Sequence, residues 1–365
     1  MRKFAITTVA IAGVALMALS GCSSRGSSTS GSGDAAGFKS GSVIGVALPD
    51  KTSENWVLAG KLFTDGLTSA GYKPDVQYAA ATNTVADQQN QIASMVTKGA
   101  KVIIIGAKDG GQLSSQVQQA HDAGAVVIAY DRLILNTKNV DYYVAYDNEK
   151  VGELQGQALL DGMKAKYPDA KTYNIELFSG SSDDANAPVF FKGAMKILQP
   201  KIDDGTLKVL SGQTDIKQTA TAGWLAQNAQ SRMDTLLAGN YANAEINGVL
   251  SPNDTLARAI ITSVKAAGKP IPIVTGQDSE VESVKSIMAG EQYSTINKDT
   301  TKLVAQSIDM VKALAKGSKP ATNSTDYNNG VKVVPTYLLP PQLVTKANAA
   351  ESYKNDATLE PLTQQ

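Results

Sequence analysis

The sequence predicts an α/β protein whose body divides into two parallel-sheet units. Short β-branched runs alternate with longer segments of helical period from about residue 42 onward, the pattern of parallel strands covered by helices. Glycines Gly71, Gly99, Gly124 and Gly268 each stand between a helical stretch and the next strand, as C-terminal caps do. The same helix, glycine, strand rhythm recurs in both halves of a body too long for the usual single domain.

In chain order, the first element is not part of that body. Arg2 and Lys3 precede an apolar run from Phe4 to about Leu19, with small residues behind it, so residues 1–21 read as a removable signal. A retained transmembrane helix needs roughly 20 apolar residues, and the polar tract begins at Ser23. Leu19-Ser20-Gly21-Cys22 resembles the bacterial lipobox, which implies that Cys22 becomes the lipidated first residue of an extracytoplasmic protein anchored on a cell membrane. An ordinary signal peptide and an uncleaved anchor are the alternatives. Residues 22–41, mostly Ser and Gly, make a flexible tether.

The strand candidates follow in order: Val43 to Leu48, Val76 to Ala80, Val102 to Gly106, Val126 to Tyr130, Tyr142 to Tyr146, Tyr173 to Phe178, Leu207 to Leu210, Ile246 to Leu250, Ile271 to Thr275 and Tyr293 to Ile296. Between them lie amphipathic helices such as Asp87 to Val96 and Leu303 to Leu314, whose apolar stripes belong to the core. Cys22 is the only cysteine, so no disulfide can form within the chain. Lys plus Arg and Asp plus Glu each number 34, and no basic run follows the signal, which argues against nucleic acid as a partner.

Open α/β sheets bind ligands beyond the carboxyl ends of their strands. Those ends carry Asp131-Arg132, Asn253-Asp254 and Gln277-Asp278, and a fourth polar cluster spans Asp183 to Asn186. Carboxylates accept from vicinal hydroxyls while guanidinium and amide groups donate to them, so these types suit a polyhydroxylated ligand. The alternative for each Asp or Asn is a helix N-cap, a role that does not explain Arg132. Both tryptophans, Trp56 and Trp224, stand near these mouths, where an aromatic face can pack against a sugar ring or simply fill the core. Lys298, between a strand and a helix, needs an anionic or hydroxyl partner, which Asp278 or a ligand can supply. His121 is the only histidine and falls in a helical segment as a surface residue. Phosphate loop, nucleophile elbow, dinucleotide fingerprint and zinc helix are all missing from the sequence, so no catalytic residue, cofactor or metal is assigned. A glycosidase pair of carboxylates is the one enzymatic alternative.

The segments Ala129 to Ile134, Asp147 to Gln155, Ser251-Pro252-Asn253-Asp254, Gly276-Gln277-Asp278 and Asn329 to Pro335 together resemble the xylose-binding and ChvE-type multiple-monosaccharide-binding proteins of ABC sugar importers. The likeness runs from about Val43 to Val344. It implies the type I periplasmic binding protein fold: two Rossmann-like lobes, residues 42–148 with 298–331 and residues 149–297 with 332–365. Three hinge crossings, near Asn148, Asn297 and Lys332, would join them, and the lobes would close on a sugar. The resemblance places ligand contacts on Asp131, Arg132, Asp184, Asn186, Trp224, Asn253, Asp278 and Lys298, and on Asn55 and Trp56, where relatives carry arginine before the tryptophan. Losing a charge-assisted hydrogen bond of about 1.5 to 3 kcal/mol puts xylose or glucose specificity in question and admits fructose or ribose. The implied partners are a monosaccharide and ABC permease subunits, with the protein a monomer. A sensor subunit feeding a receptor kinase or chemoreceptor is the alternative.

Overall fold

The first β-branched run, Val43–Leu48 (β1), is buried at five of its six residues, as a strand covered on both faces must be. A computed structural model describes residues 37–80 and 85–364; the signal, Cys22 and most of the tether lie outside the described residues. After β1 come helix Glu54–Ser69 (α1), Lys73–Tyr78 (β2), Ala86–Thr97 (α2), Val102–Ile105 (β3), Ser114–Asp122 (α3), Val126–Tyr130 (β4) and Tyr142–Tyr146 (β5). A second series follows: Asn148–Lys166 (α4), Tyr173–Leu177 (β6), Ala187–Asp203 (α5), Leu207–Val209 (β7), the short Ile216–Thr219 (α6), Ala226–Ala238 (α7), Gly248–Leu250 (β8), Asp254–Ala266 (α8), Ile273–Val274 (β9), Val281–Ala289 (α9) and Ser294–Asn297 (β10). Thr300–Ala315 (α10), Thr336–Leu339 (β11), Gln342–Thr345 (β12) and Ala349–Ser352 (α11) come next, and a 3-10 turn at Glu360–Gln364 ends the described residues.

Two parallel sheets result, with strand orders β11-β5-β4-β3-β1-β2 and β7-β6-β8-β9. Alternation along each strand splits the side chains between two faces. In the first half, Ile44, Val46 and Leu48 pack under α1 and α10, while Ala47, Ile103 and Ile105 pack under α2 and α3. In the second half, Val249 and Val274 meet α7 and α8, and Ile175, Leu177 and Leu250 meet α4 and α5. Gly71, Gly99, Gly124 and Gly268 all adopt left-handed backbone at helix ends, as read from the sequence.

Every one of the ten strand runs overlaps a strand, most of them trimmed at an end, with β2 beginning three residues before the expected Val76 and β10 ending one residue after Ile296, but β11 and β12 have no counterpart in the sequence reading. They also move one crossing. The chain leaves the first sheet after Tyr146 and returns after Asn297, beside the expected Asn148 and Asn297 positions. Lys332, however, is not the third crossing: Thr336↔Tyr143 begins a parallel pairing of β11 with β5 in the first sheet. Only β12 joins the second half, antiparallel to β10, so the passage falls at Pro340-Pro341 and the boundary at 331/332 shifts accordingly. Among the described residues no helix is long and apolar enough to cross a membrane.

Candidate functional site

Residues just beyond the carboxyl ends of strands in both sheets line one cavity, which with its open mouth spans about 930 Å³. From the first half come Asp50 after β1, Lys108 after β3, Asp131 and Arg132 after β4, and Asn55 and Trp56 from the first turn of α1. From the second come Asp184 and Asn186 after β6, Trp224 before α7, Asn253 after β8, and Gln277 and Asp278 after β9. Lys298, between β10 and α10, sits between the halves. All ten residues singled out from the sequence therefore stand on this one cavity.

Ion pairs organise the floor. The Arg132 Nε lies 2.9 Å from Asp184 Oδ2, Nη1 donates to Ala107 O at 3.2 Å, and the guanidinium stands 5.3 Å from the Trp56 ring. Asp184 is 3 % exposed and also accepts from Trp224 Nε1 and Asn186 N. Burial pushes its carboxyl above the usual carboxylate value against the opposing pull of Arg132. Lys298 Nζ lies 3.0 Å from Asp278 Oδ1 and 3.9 Å from Asp131 Oδ1. Burial works against that ammonium, but Asp131 and Asp278 outweigh it and hold its pKa above the ordinary lysine value. At the far wall Lys108 Nζ meets Asp50 Oδ2 at 2.5 Å. Burial would raise Asp50, yet hydrogen bonds from Lys108 and Thr52 keep it below the carboxylate range.

Several of these contacts join the halves directly. Besides Arg132–Asp184, Asn186 Nδ2 donates to Asp131 O at 2.8 Å. At the rim, Asn55 Nδ2 donates to Asp278 O, Ser53 Oγ to Glu280 Oε1, and Val281 N to Glu54 Oε2. The halves thus touch on both sides of the cavity.

Backbone strain concentrates at the same place. Among the described residues six non-glycines have positive φ, and Asp131, Trp224, Asp278 and Ser279 line the cavity or adjoin it. Such conformations cost about 1–3 kcal/mol each and persist where surroundings over-determine them. Two glycines make room for the indoles. A Cβ on Gly180 would stand 2.2 Å from Trp224 Cζ2, and one on Gly106 would stand 2.9 Å from Trp56 Cζ3.

The alternative readings are satisfied alongside the site. Asn253 is the N-cap of α8, accepting from Leu256 N at 3.0 Å, and still lines the cavity. Trp56 is 9 % exposed and belongs to the first core, edge-on to Tyr130 at 6.1 Å. His121 is exposed on α3. Asp50, Lys108, Tyr130, Phe190 and Thr300 line the cavity without having been singled out. For Asp50 and Lys108 a signal existed, since both follow predicted strands within a few residues. Gln277 is 2 % exposed, and its Oε1 has no partner within the protein. The cavity therefore offers carboxylate acceptors, guanidinium, ammonium and amide donors, and indole faces. Among the described residues no group of His, Cys, Asp and Glu is placed to hold a metal.

Two parallel sheets joined by three crossings, with polar strand ends converging on one interior cavity, define a two-lobed solute-binding protein. Comparison with known proteins fixes the family. Residues 44–319 match the periplasmic binding protein domain, and the chain belongs to that family. The multiple sugar-binding periplasmic receptor ChvE of Rhizobium radiobacter is 50 % identical over 313 residues, 84 % of this chain and 87 % of its own. The D-xylose-binding periplasmic protein of Escherichia coli (strain K12) is 36 % identical over 314 residues, 86 % of this chain and 89 % of its own. An ABC transporter solute binding protein from Clostridium phytofermentans, solved with bound beta-D-glucose, matches with a TM-score of 0.83 at 37 % identity, covering 88 % of this chain and all of that one. These relatives are binding proteins, and this chain is of their non-enzymatic class.

Proposed function

We propose that this protein is the extracytoplasmic, lipid-anchored solute-binding component of an ABC importer, and that it captures one monosaccharide between its halves and delivers it to the permease. Convergence of Asp131, Arg132, Asp184, Asn186, Trp224, Asn253, Asp278 and Lys298 on one cavity is the observation that carries this reading. The sugar-binding relatives at 36–50 % identity and the glucose-bound neighbour support it. Xylose, glucose, galactose, arabinose, fructose and ribose are the candidate ligands, and Asn55 is the position expected to choose among them. Cys22 carries the lipid in this reading.

Binding would work by population shift. Closed halves already share the Arg132–Asp184 pair and the Asn186–Asp131 hydrogen bond; a sugar touching both sides adds contacts that the open form lacks. No bond is made or broken in the ligand. Calorimetric titration of the body from residue 37 against the six sugars, with X-ray scattering of the free and saturated protein, tests both parts. Heat from at least one sugar and a smaller radius at saturation are the expected results. Silence across the panel would remove sugar binding, and an unchanged radius would remove closure. Because the 50 % identical relative is named a receptor, a second reading, in which the closed form engages a receptor kinase or chemoreceptor, stands beside import. Sugar uptake lost on deleting the gene supports import; uptake intact with a lost transcriptional or chemotactic response supports sensing.

A further inference from the structure

Between β9 and α9 the chain turns through two consecutive left-handed residues, Asp278 (φ 101) and Ser279 (φ 53). Neither is glycine, so the turn holds its shape only under external restraint. Three restraints come from its own half: Asp278 N donates to Ile296 O at 2.9 Å, Ser279 N to Thr295 Oγ1 at 3.2 Å, and Glu280 N to Asp254 Oδ2 at 3.0 Å. The fourth arrives from far along the chain. Tyr353, just past α11, donates its hydroxyl to Ser279 Oγ at 2.8 Å. Its ring is 2 % exposed and packs with Val284 of α9, Val344 of β12, Ala349 and Leu359.

This C-terminal segment contributes no residue to the cavity wall, yet it braces the one turn whose side chain grips Lys298 and whose carbonyl receives Asn55. We infer that Tyr353 is a positioning residue for ligand: through Ser279 it fixes Asp278 in the orientation that binds sugar and meets α1 on closure. The inference rests on the sugar-binding reading above.

Tyr353→Phe keeps the ring in its cluster and removes only the hydroxyl. Loss of one hydrogen bond predicts affinity for the preferred sugar about two- to tenfold weaker, expressed in faster dissociation, with the thermal midpoint nearly unchanged. In a double-mutant cycle with Asp278→Asn the penalty should shrink, because the hydroxyl acts through that carboxylate. Equal affinity in Tyr353→Phe, or the same penalty in both backgrounds, overturns the inference. Amide hydrogen exchange of residues 278–280 is followed in the ligand-free wild type and Tyr353→Phe. Faster exchange in the variant supports the brace, and equal exchange overturns it. That measurement needs no sugar, so a wild type silent to every sugar would refute the functional reading while exchange still decides the role of Tyr353.

Discussion

Replacing Arg132 by alanine separates the stability of each half from the closing of the gap. The guanidinium belongs to the first half, and the carboxylate it pairs with at 2.9 Å belongs to the second. Its other contacts, Ala107 O and the Trp56 face, lie within its own half. Removing one partner of a buried pair costs about 3–5 kcal/mol, chiefly through the charge left behind. Asp184 keeps Trp224 Nε1 and Asn186 N as donors, which places the cost near the lower bound. About 3 kcal/mol corresponds to roughly 150-fold in the closed-to-open ratio, and, for a free protein that is mainly open, to a loss in apparent affinity approaching that size. Calorimetric titration reads this directly, and the thermal midpoint should move far less than the affinity. A pH signature accompanies it. Burial already raises the Asp184 carboxyl and Arg132 is what opposes the rise, so in Arg132→Ala the pKa climbs further. Binding by the variant then improves as pH falls and the stranded carboxylate takes up a proton, and adding Asp184→Asn recovers part of the loss at neutral pH. Affinity within about threefold of wild type, under 1 kcal/mol, would refute the claim that this pair holds the halves together.

The other predictions concern the cavity wall and its support. Asp254 is fully buried, and burial, then Glu280 and Asp278, drive its carboxyl well above the usual value of 3.8. A folded pKa above the unfolded one means that stability is greatest below the unfolded value and declines as pH rises toward the folded one. Asp254→Asn should flatten that decline in thermal scans taken from pH 4 to 8, with Gln292, whose Oε1 has no partner, turning its amide to receive the new donor. Gly180→Ala sets a methyl 2.2 Å from Trp224 Cζ2; displacement of the indole should cost about 1–3 kcal/mol, seen as weaker sugar binding and altered tryptophan fluorescence. Asn55→Arg should tighten aldopyranose binding about ten- to a hundredfold relative to fructose and ribose, measured by competition across the sugar panel.

Much of this was legible in the sequence because parallel α/β units repeat one rhythm. Each run from Val43 to Ile296 is bounded by a helix of clear period, and strand ends mark the ligand side, so Asp131, Arg132, Asn253 and Asp278 could be located by rule. Asp184 falls in the polar cluster behind Phe178 and Trp224 beside a strand mouth, and the family resemblance points to the same two positions. What the rhythm did not reveal lies where it stops. Thr336–Leu339 sits between Pro335 and Pro340-Pro341 with no helix after it, so nothing local assigns it to β5, a partner nearly 200 positions earlier. Asp50 and Lys108 stand behind strand ends like the others and could have been found by the same rule, but their pairing with each other, formed across 58 residues, is not readable from spacing. The brace from Tyr353 to Ser279 is equally invisible, since it depends on the fold of a tail with no periodic signal.

Residues 37–42 enter the first half at the amino end of β1, where Phe38 N donates to Ala315 O and Gly41 N to Gly71 O. Helices α1 and α10 both start beside the cavity and end where residues 37–42 attach, so the attachment point and the mouth occupy opposite poles of that half. Any tension applied through the N-terminal segment is therefore borne by one pole of one half. The backbone bonds of Phe38 and Gly41 both end in that half, so on the lipid-anchored reading proposed above a pull would load it before reaching the other.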